Sequence, residues 1–168
     1  MSEFNQVFEE KLKHKGFFNF QDFYNFCYGW LRDEGYDVIE SEYNEKITAG
    51  GKEIVLKWKA IKKVTDYFRN VIEINWRIIG LQDAEVERDG KKEKTNKGDL
   101  EMKFKGTLER DWEHRWESTP TYKFMRSIYD KYIVKSTTDQ WEDKVIEKCV
   151  GFVDQIKAYL ALEVKAKK

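Results

Sequence analysis

The chain has 168 residues, and its 31 Lys+Arg are balanced by 31 Asp+Glu, so the formal net charge is zero. This balance disfavours nucleic acid and anionic membranes as partners, because both are attracted by an excess of basic residues. Hydrophobic residues make up 40% of the chain and aromatic residues 15%. This composition excludes a disordered chain and predicts one aromatic-rich domain spanning residues 1–168.

The sequence also bears on the compartment in which the protein works. Residues 1–5 lack the charged-then-apolar pattern of a secretory signal, and no apolar run approaches the roughly 20 residues of a membrane span. Cys27 and Cys149 lie in apolar surroundings and are expected to be reduced thiols in the core. We therefore predict a cytoplasmic protein without a membrane span.

The first elements are a short segment of mixed pattern and a clear helix. Residues 6–15 fit either a helix or a strand, and we favour a strand because it would start a sheet. Apolar residues then recur every three or four positions from Phe20 onward, which predicts a helix. Asn19 is the expected N-cap of this helix, and Gly35 is expected to end it.

After this helix the apolar period changes to two, which predicts an antiparallel sheet of about five or six strands. Gly50 and Gly51 indicate a turn. Gly80 is expected to break the third of these strands, and a short strand would follow it. The basic segment 88–97 is expected to be a solvated hairpin loop, and the clearest alternation follows it at 100–108.

The C-terminal third is predicted to be helical. Thr119 and Pro120 suit the N-cap and first position of a helix. The apolar stripe of this helix would consist of Tyr122, Met125, Ile128, Tyr129 and Tyr132. A last helix would start at Thr138 or Asp139 and end near Glu163, with an apolar stripe formed by Trp141, Val145, Cys149, Phe152, Ile156 and Leu160. The chain is thus predicted to be an α+β fold, with a curled antiparallel sheet packed on a long C-terminal helix and an additional N-terminal helix.

The order of these elements resembles the helix-grip arrangement of START-type lipid-binding domains. The resemblance rests on a strand at 6–15, a helix from Phe20, several antiparallel strands, and the long last helix from Asp139. It concerns the order of elements alone, so no functional residues are carried over from that family.

No motif in the sequence indicates catalysis, a cofactor or a metal. His14 is flanked by lysines and is expected to lie in an exposed turn, while His114 lies in an acidic and arginine-containing stretch. The acidic residues nearest His114 are Glu109, Asp111 and Glu113. Their spacing matches no familiar metal site, and the neighbouring arginines would repel a cation. With no phosphate-binding loop or paired-carboxylate motif visible, an enzyme is not favoured and no cofactor is predicted.

The predicted sheet, with aromatic side chains on one face and polar side chains on the other, is compatible with two kinds of binding function. In one, a small apolar ligand or lipid lies in a pocket between the sheet and the C-terminal helix. The candidate pocket residues are Trp58, Phe68, Trp76, Phe104, Cys149 and Phe152, and all four strand aromatics among them are expected to point toward that helix. The same residues are equally expected in a filled aromatic core, so the pattern leaves both interpretations open.

The other function, which we favour, is that of a protein-interaction or scaffold domain, including a self-associating one. An exposed sheet face, a sheet edge or a helix stripe could serve as the interface. The candidate interaction face lies opposite the aromatic face and consists of Tyr67, Arg69, Asn75 and Arg77. A ligand carrier would be monomeric with an internal cavity, whereas an assembly module would form oligomers.

Overall fold

The computed structural model describes residues 3–110, 112, 120–128 and 135–165. Within these residues the chain forms strands β1 (Glu3–Phe17), β2 (Asp37–Thr48), β3 (Gly51–Lys63), β4 (Phe68–Arg88) and β5 (Lys91–Arg110), and helices α1 (Phe20–Asp33), α2 (Pro120–Ile128) and α3 (Lys135–Lys165). Residues 6–15 thus belong to a strand, as the sequence favoured.

The strands form one antiparallel sheet in the order β1-β5-β4-β3-β2. Strands β2 to β5 follow one another as neighbours, whereas β1 pairs with β5 at the far side, with Phe4 opposite Glu109. Helix α1 therefore carries the chain from one edge of the sheet to the other. Consequently β1 and β2 are the two edge strands of the described sheet.

Two helices lie side by side on one face of this sheet. Helix α3 contacts β1, β5 and β4, and α1 contacts β2. The helices contact each other through stacked rings, since the ring centroids of Trp30 and Phe152 are 4.6 Å apart, as are those of Phe26 and Tyr159. The predicted α+β fold, with a sheet packed on a long C-terminal helix and an N-terminal helix, is confirmed.

Alternation along the central strands separates a buried face from a polar one, as the sequence predicted. The side chains buried beneath the helices are Ile54, Leu56, Trp58 and Ala60 of β3, Ile72, Ile74, Trp76 and Ile78 of β4, and Leu100, Met102, Phe104 and Leu108 of β5. We call this side of the sheet the core face and the opposite side the open face. Burial of aliphatic and aromatic side chains on the core face is the main source of stability.

The predicted break at Gly80 is wrong, because β4 continues through it. The pairing of β4 with β5 shifts its register between Ile79 and Gln82, and Gly80 adopts a φ of +66° at this bulge. Gly51 of β3 approaches the same place so closely that a Cβ atom there would lie 2.7 Å from the carbonyl oxygen of Leu81. A bulge bends a strand without ending it, so one long strand replaces the two predicted.

The predicted basic loop at 88–97 is also wrong. Residues 91–97 belong to β5 and pair with β4 as far as Arg88 opposite Lys91. The turn itself has only Asp89 and Gly90 at its centre, with φ values of +54° and +77°. Asp-Gly is a preferred sequence for such a two-residue hairpin turn, because both residues must adopt positive φ.

His14 lies within β1, not in the exposed turn predicted for it. Its Nε2 atom is 3.1 Å from the carbonyl oxygen of Phe17. Its ring meets Phe18 edge-on, with centroids 5.8 Å apart. The lysines on either side of His14 point to the open face, while His14 itself is on the core face opposite Leu100.

The C-terminal helices agree with the sequence in type and differ in detail. Helix α3 starts at Lys135, before the predicted cap at Thr138 or Asp139, and at about 1.5 Å per residue its 31 residues span roughly 46 Å. Its predicted apolar stripe is confirmed, because the five stripe residues Val145, Cys149, Phe152, Ile156 and Leu160 are buried and Trp141 packs against the core. In α2, Met125 and Ile128 are exposed instead of forming a buried stripe. Thr119, Tyr129, Tyr132 and the side chain of Tyr122 lie outside the described residues.

Candidate interaction surface

The six candidate pocket residues are all buried, but they lie in two parts of the core. Trp58 and Trp76 pack beneath α1, where the Tyr24 ring meets Trp58 edge-on at 4.9 Å. The other four lie nearer α3: Phe68 contacts Trp141, Phe104 contacts Phe152, and Cys149 faces Gly106. The prediction that all four strand aromatics point toward the C-terminal helix is therefore wrong for Trp58 and Trp76.

Both cysteines are free thiols buried in this core, as predicted. Burial raises the pKa of the Cys149 thiol to about 12 and that of Cys27 well above its ordinary value. Because the thiolate is the reactive form, neither side chain is suited to nucleophilic chemistry in the folded protein.

The four residues of the candidate interaction face do not form one surface. Tyr67 precedes β4 and is buried, with its ring edge-on to Phe68 at 5.0 Å. Arg69 is half-buried, and its Nε donates a 2.7 Å hydrogen bond to Glu109, a carboxylate that is 3% exposed. The ring of Trp112 lies 5.5 Å from the Arg69 guanidinium. Asn75 and Arg77 alone among the four are exposed on the open face.

The central part of the open face carries ion pairs between neighbouring strands. Lys103 lies 3.1 Å from Glu9 on β1, and Arg77 lies 3.5 Å from Glu53 on β3. Exposed ion pairs of this kind contribute little to stability, but they remain hydrated and give a partner no apolar area to bury. The central part of the open face is therefore a weak candidate for docking.

The outer edge of β2 has a different character. Within the described residues β2 pairs with β3 and with no strand on its other side. It carries three exposed apolar side chains: Ile39 is 51% exposed, Tyr43 45% and Ile47 80%. We call the strand from Asp37 to Thr48, with its unpaired backbone side, the β2 edge.

The first half of the β2 edge is held firmly to the rest of the fold. Glu40 accepts hydrogen bonds from the hydroxyl of Tyr24, at 3.0 Å, and from the indole N–H of Trp58, at 3.2 Å. Burial together with this carboxylate raises the pKa of Tyr24 to about 12. Arg32 of α1 also pairs with Asp37 at 2.8 Å. Helix α1 thus fixes the strand as far as Glu40.

A bulge at Ser41 separates this anchored half from an outer half, Glu42 to Thr48. The pairing with β3 shifts register between Glu40 and Glu42, and the Ser41 hydroxyl donates a 3.2 Å hydrogen bond to the carbonyl oxygen of Lys57. Glu42 is partly buried, and every other residue of the outer half is exposed. The outer half therefore holds its backbone in extended geometry while its edge faces solvent.

Sequence reasoning does not single out the β2 edge. The alternation predicts a strand here, but nothing in it shows that this strand lies at the border of the sheet. The available signal is the run Glu42-Tyr43-Asn44-Glu45-Lys46, where the alternation is polar on both faces. A strand that is polar on both faces has little to bury and is most easily placed at an edge.

The described residues contain no group of three or more His, Cys, Asp or Glu side chains placed to hold a metal ion. Asp111, Glu113 and His114 lie outside the described residues. None of the helices that the structure describes is long and apolar enough to cross a membrane.

Fold and surface together define an α+β domain with an open antiparallel sheet, two covering helices and an exposed edge strand. No protein-family model matches the chain. Searches of the curated proteins and of the solved structures likewise find no match. Function is therefore inferred from the chain's own residues.

Proposed function

We propose that this chain is a non-catalytic protein-interaction module of the cytoplasm, which binds protein partners along the β2 edge. The observation that carries the proposal is the exposure of Ile39, Tyr43 and Ile47 beside backbone groups that have no strand partner among the described residues. Such an edge can accept an added strand, because main-chain hydrogen bonds supply affinity and alternate side chains supply specificity. Two buried, free cysteines suit a reducing compartment.

The other edge strand, β1, supports the proposal by contrast. Lysines at 11, 13 and 15 follow one another on the open face of β1, and charged edge side chains are a common protection against strand pairing. Helix α3 also lies along β1, with Lys157 paired to Glu10 at 2.9 Å. The outer half of β2 has a single lysine, Lys46, and its residues from Tyr43 to Thr48 are all exposed.

The alternative, a domain that binds a small apolar ligand or lipid between the sheet and α3, has less support. The rings expected to line the pocket contact one another: Phe104 meets Phe152 at 5.8 Å, and Trp58 meets Trp76 at 4.9 Å. One observation favours it, since the buried indole N–H of Trp76 has no acceptor among the described residues. Native mass spectrometry separates the two functions, because a ligand carrier retains a small molecule and an interaction module does not.

Affinity capture with three baits tests the proposed surface: the wild-type chain, Ile47→Lys and Leu162→Lys. Ile47→Lys places a charge on the β2 edge, where it blocks strand addition. Leu162 is a similarly exposed apolar residue on α3 and serves as the matched control. We expect proteins captured by the wild type to be lost with Ile47→Lys and kept with Leu162→Lys, as measured by quantitative mass spectrometry.

Circular dichroism melting should show that both variants fold, because each replaces a solvent-exposed side chain. The same partners at the same abundance on all three baits would contradict a binding role for the β2 edge.

A further inference from the structure

The charges of the outer half of β2 are complementary when this segment pairs antiparallel with a second copy of itself. In the run Glu42-Tyr43-Asn44-Glu45-Lys46, an acidic residue lies two positions before Asn44 and a basic residue two positions after it. An antiparallel pairing of two such runs about Asn44 would place each Glu42 opposite a Lys46 and each Tyr43 opposite a Glu45. Opposite-charge pairs that lie directly across antiparallel strands are stabilising.

We propose that the partner of the β2 edge is a second copy of this chain, paired antiparallel through β2 about a two-fold axis at Asn44. This inference rests on the proposed function and names the occupant of that surface. Because the axis would be perpendicular to the sheet, the two five-stranded sheets would join into one continuous antiparallel sheet. Both pairs of covering helices would then lie on the same side.

The faces of the strand agree with this register. Pairing with β3 places Glu42 and Lys46 on the open face, opposite Lys57 and Glu53. Tyr43 and Glu45 lie on the core side, and the Tyr43 hydroxyl donates a 3.2 Å hydrogen bond to Glu45. Residues opposite each other in a sheet must share a face, and the axis at Asn44 satisfies this condition for every pair in the run.

Electrostatics select this axis among the neighbouring ones. An axis at Glu42, Glu45 or Lys46 would bring a residue against its own copy with like charge, which is destabilising. An axis at Tyr43 would place Glu42 opposite Asn44, and Lys46 opposite a Glu40 that lies beyond the bulge and already accepts hydrogen bonds from Tyr24 and Trp58. The ammonium group of Lys46 has no ion-pair partner among the described residues, so it is available to a second copy.

Glu42 already has two contacts within its own chain. It lies 3.1 Å from Lys57 and accepts a 2.7 Å hydrogen bond from the side-chain amide of Asn44. These contacts hold the carboxylate on the open face, where Lys46 of a second copy would share it with Lys57. Because the carboxylate is partly screened by Lys57, the strength of the association depends on strand hydrogen bonds as well as on the Glu42–Lys46 pair.

A charge-exchange experiment tests the pairing. Glu42→Lys and Lys46→Glu should each weaken self-association by about tenfold or more, because each places like charges opposite each other twice in the dimer. An equimolar mixture of the two variants should restore association as a heterodimer, since positions 42 and 46 are then both basic in one chain and both acidic in the other. Sedimentation velocity over a concentration series up to about 1 mM measures all three samples and the wild type.

Cysteine cross-linking tests the position of the axis. Asn44→Cys would bring two thiols directly opposite each other, within the Cα separation of about 4.4–6.8 Å that a disulfide requires. Asn75→Cys is the matched control, an exposed asparagine on the open face of the same sheet. We expect rapid intermolecular disulfide formation for Asn44→Cys and little for Asn75→Cys, as seen by non-reducing electrophoresis. Both native cysteines are buried and do not compete.

The results that would overturn this inference are distinct from those that would overturn the proposed function. A wild-type chain that stays monomeric over the whole series, or equal cross-linking of the two cysteine variants, excludes self-pairing through β2. Association of the mixed variants no stronger than that of either variant alone excludes the Glu42–Lys46 contact. Capture of other proteins that is lost with Ile47→Lys would still support the interaction module, with a different partner.

Discussion

Gly106 allows α3 to approach the sheet closely. A Cβ atom at this position would lie 2.6 Å from Sγ of Cys149 and 3.1 Å from Cγ1 of Val145. On the neighbouring strand, Cβ of Phe8 would also be 3.1 Å away. The position therefore has no room for a side chain, and α3 contacts β5 here because residue 106 is a glycine.

We expect Gly106→Ala to lower the free energy of unfolding by about 1–3 kcal/mol, because the added methyl group would displace α3. Adding Cys149→Ala removes the nearest clashing atom, so the double variant should lose less than the sum of the two single variants. Urea unfolding of the four proteins measures this coupling. Strict additivity would show that the helix does not contact the sheet at this point.

Trp76 and Asn75 are neighbours in sequence that face opposite sides of the sheet. Trp76 is 1% exposed and contacts Phe23 and Trp58, whereas Asn75 is exposed on the open face. The free-energy cost of truncating each should therefore differ widely.

Trp76→Ala should cost about 3–5 kcal/mol of unfolding free energy through loss of buried area and the cavity left behind. Asn75→Ala should stay within about 0.5 kcal/mol of the wild type. Chemical denaturation gives both values. A loss below about 1 kcal/mol for Trp76→Ala would contradict the burial of this ring on the core face, because the lost transfer free energy remains even if the core collapses.

At the scale of elements, α1 is the best-defined case of sequence specifying local structure. The Asn19 side chain accepts a 2.9 Å hydrogen bond from the backbone N–H of Asp22, and Gly35 follows the helix with a φ of +88°. Residue type alone predicts both. Capping and stop signals act within a few residues of each other, which is why they are readable without knowledge of the tertiary structure.

Two substitutions in α1 should change stability in opposite directions. Asn19→Ala removes the cap and should cost about 1 kcal/mol. Gly29 lies inside the helix with nothing within 4 Å of where a Cβ atom would be, so Gly29→Ala should gain about 0.5–1 kcal/mol from reduced unfolded-state entropy. Thermal melts followed by circular dichroism measure both. A destabilised Gly29→Ala would contradict the open space around this residue.

At the scale of the whole molecule, burial of hydroxyl and thiol groups links folding to alkaline pH. Burial raises the pKa values of Tyr36 and Tyr159 to about 12, and with the Glu40 carboxylate it does the same for Tyr24. In the unfolded chain a tyrosine ionises near a pH of about 10. Between about pH 10 and 12 the unfolded state therefore holds fewer protons than the folded state, and stability falls as pH rises.

The unfolding free energy should thus be fully retained below about pH 8. It should begin to fall at about pH 8.5, where the thiols of the unfolded chain ionise, and decline further from about pH 10 to 12. Tyr36→Phe removes one of the groups responsible and should make this decline shallower than in the wild type. Urea unfolding at about pH 8 and about pH 11 measures the difference. Equal stability of the wild-type chain at the two pH values would contradict this prediction, because it would mean that the tyrosine pKa values are the same in the folded and unfolded states.

The sequence by itself determined the type of the elements from α1 onward, the apolar faces of β3, β4, β5 and α3, and the burial of both cysteines, while residues 6–15 fitted either a strand or a helix. These follow from periodicity and from local cap and turn chemistry, which act over a few residues. The sequence did not predict the bulge at Gly80, because a glycine is found both in turns and at bulges within strands. It did not predict the position of His14 either, because lysines flank a histidine both in exposed turns and in strands with one solvated face.

The tertiary structure alone decided which strands lie at the edges, which helix covers each tryptophan, and how the predicted interaction face is divided. Strand order depends on β1 reaching across to pair with β5, far away in the chain, and alternation reports which side of a strand is buried without reporting its neighbours. Placing β2 at the border exposes Tyr43 and Ile47, and from that exposure the proposed function follows.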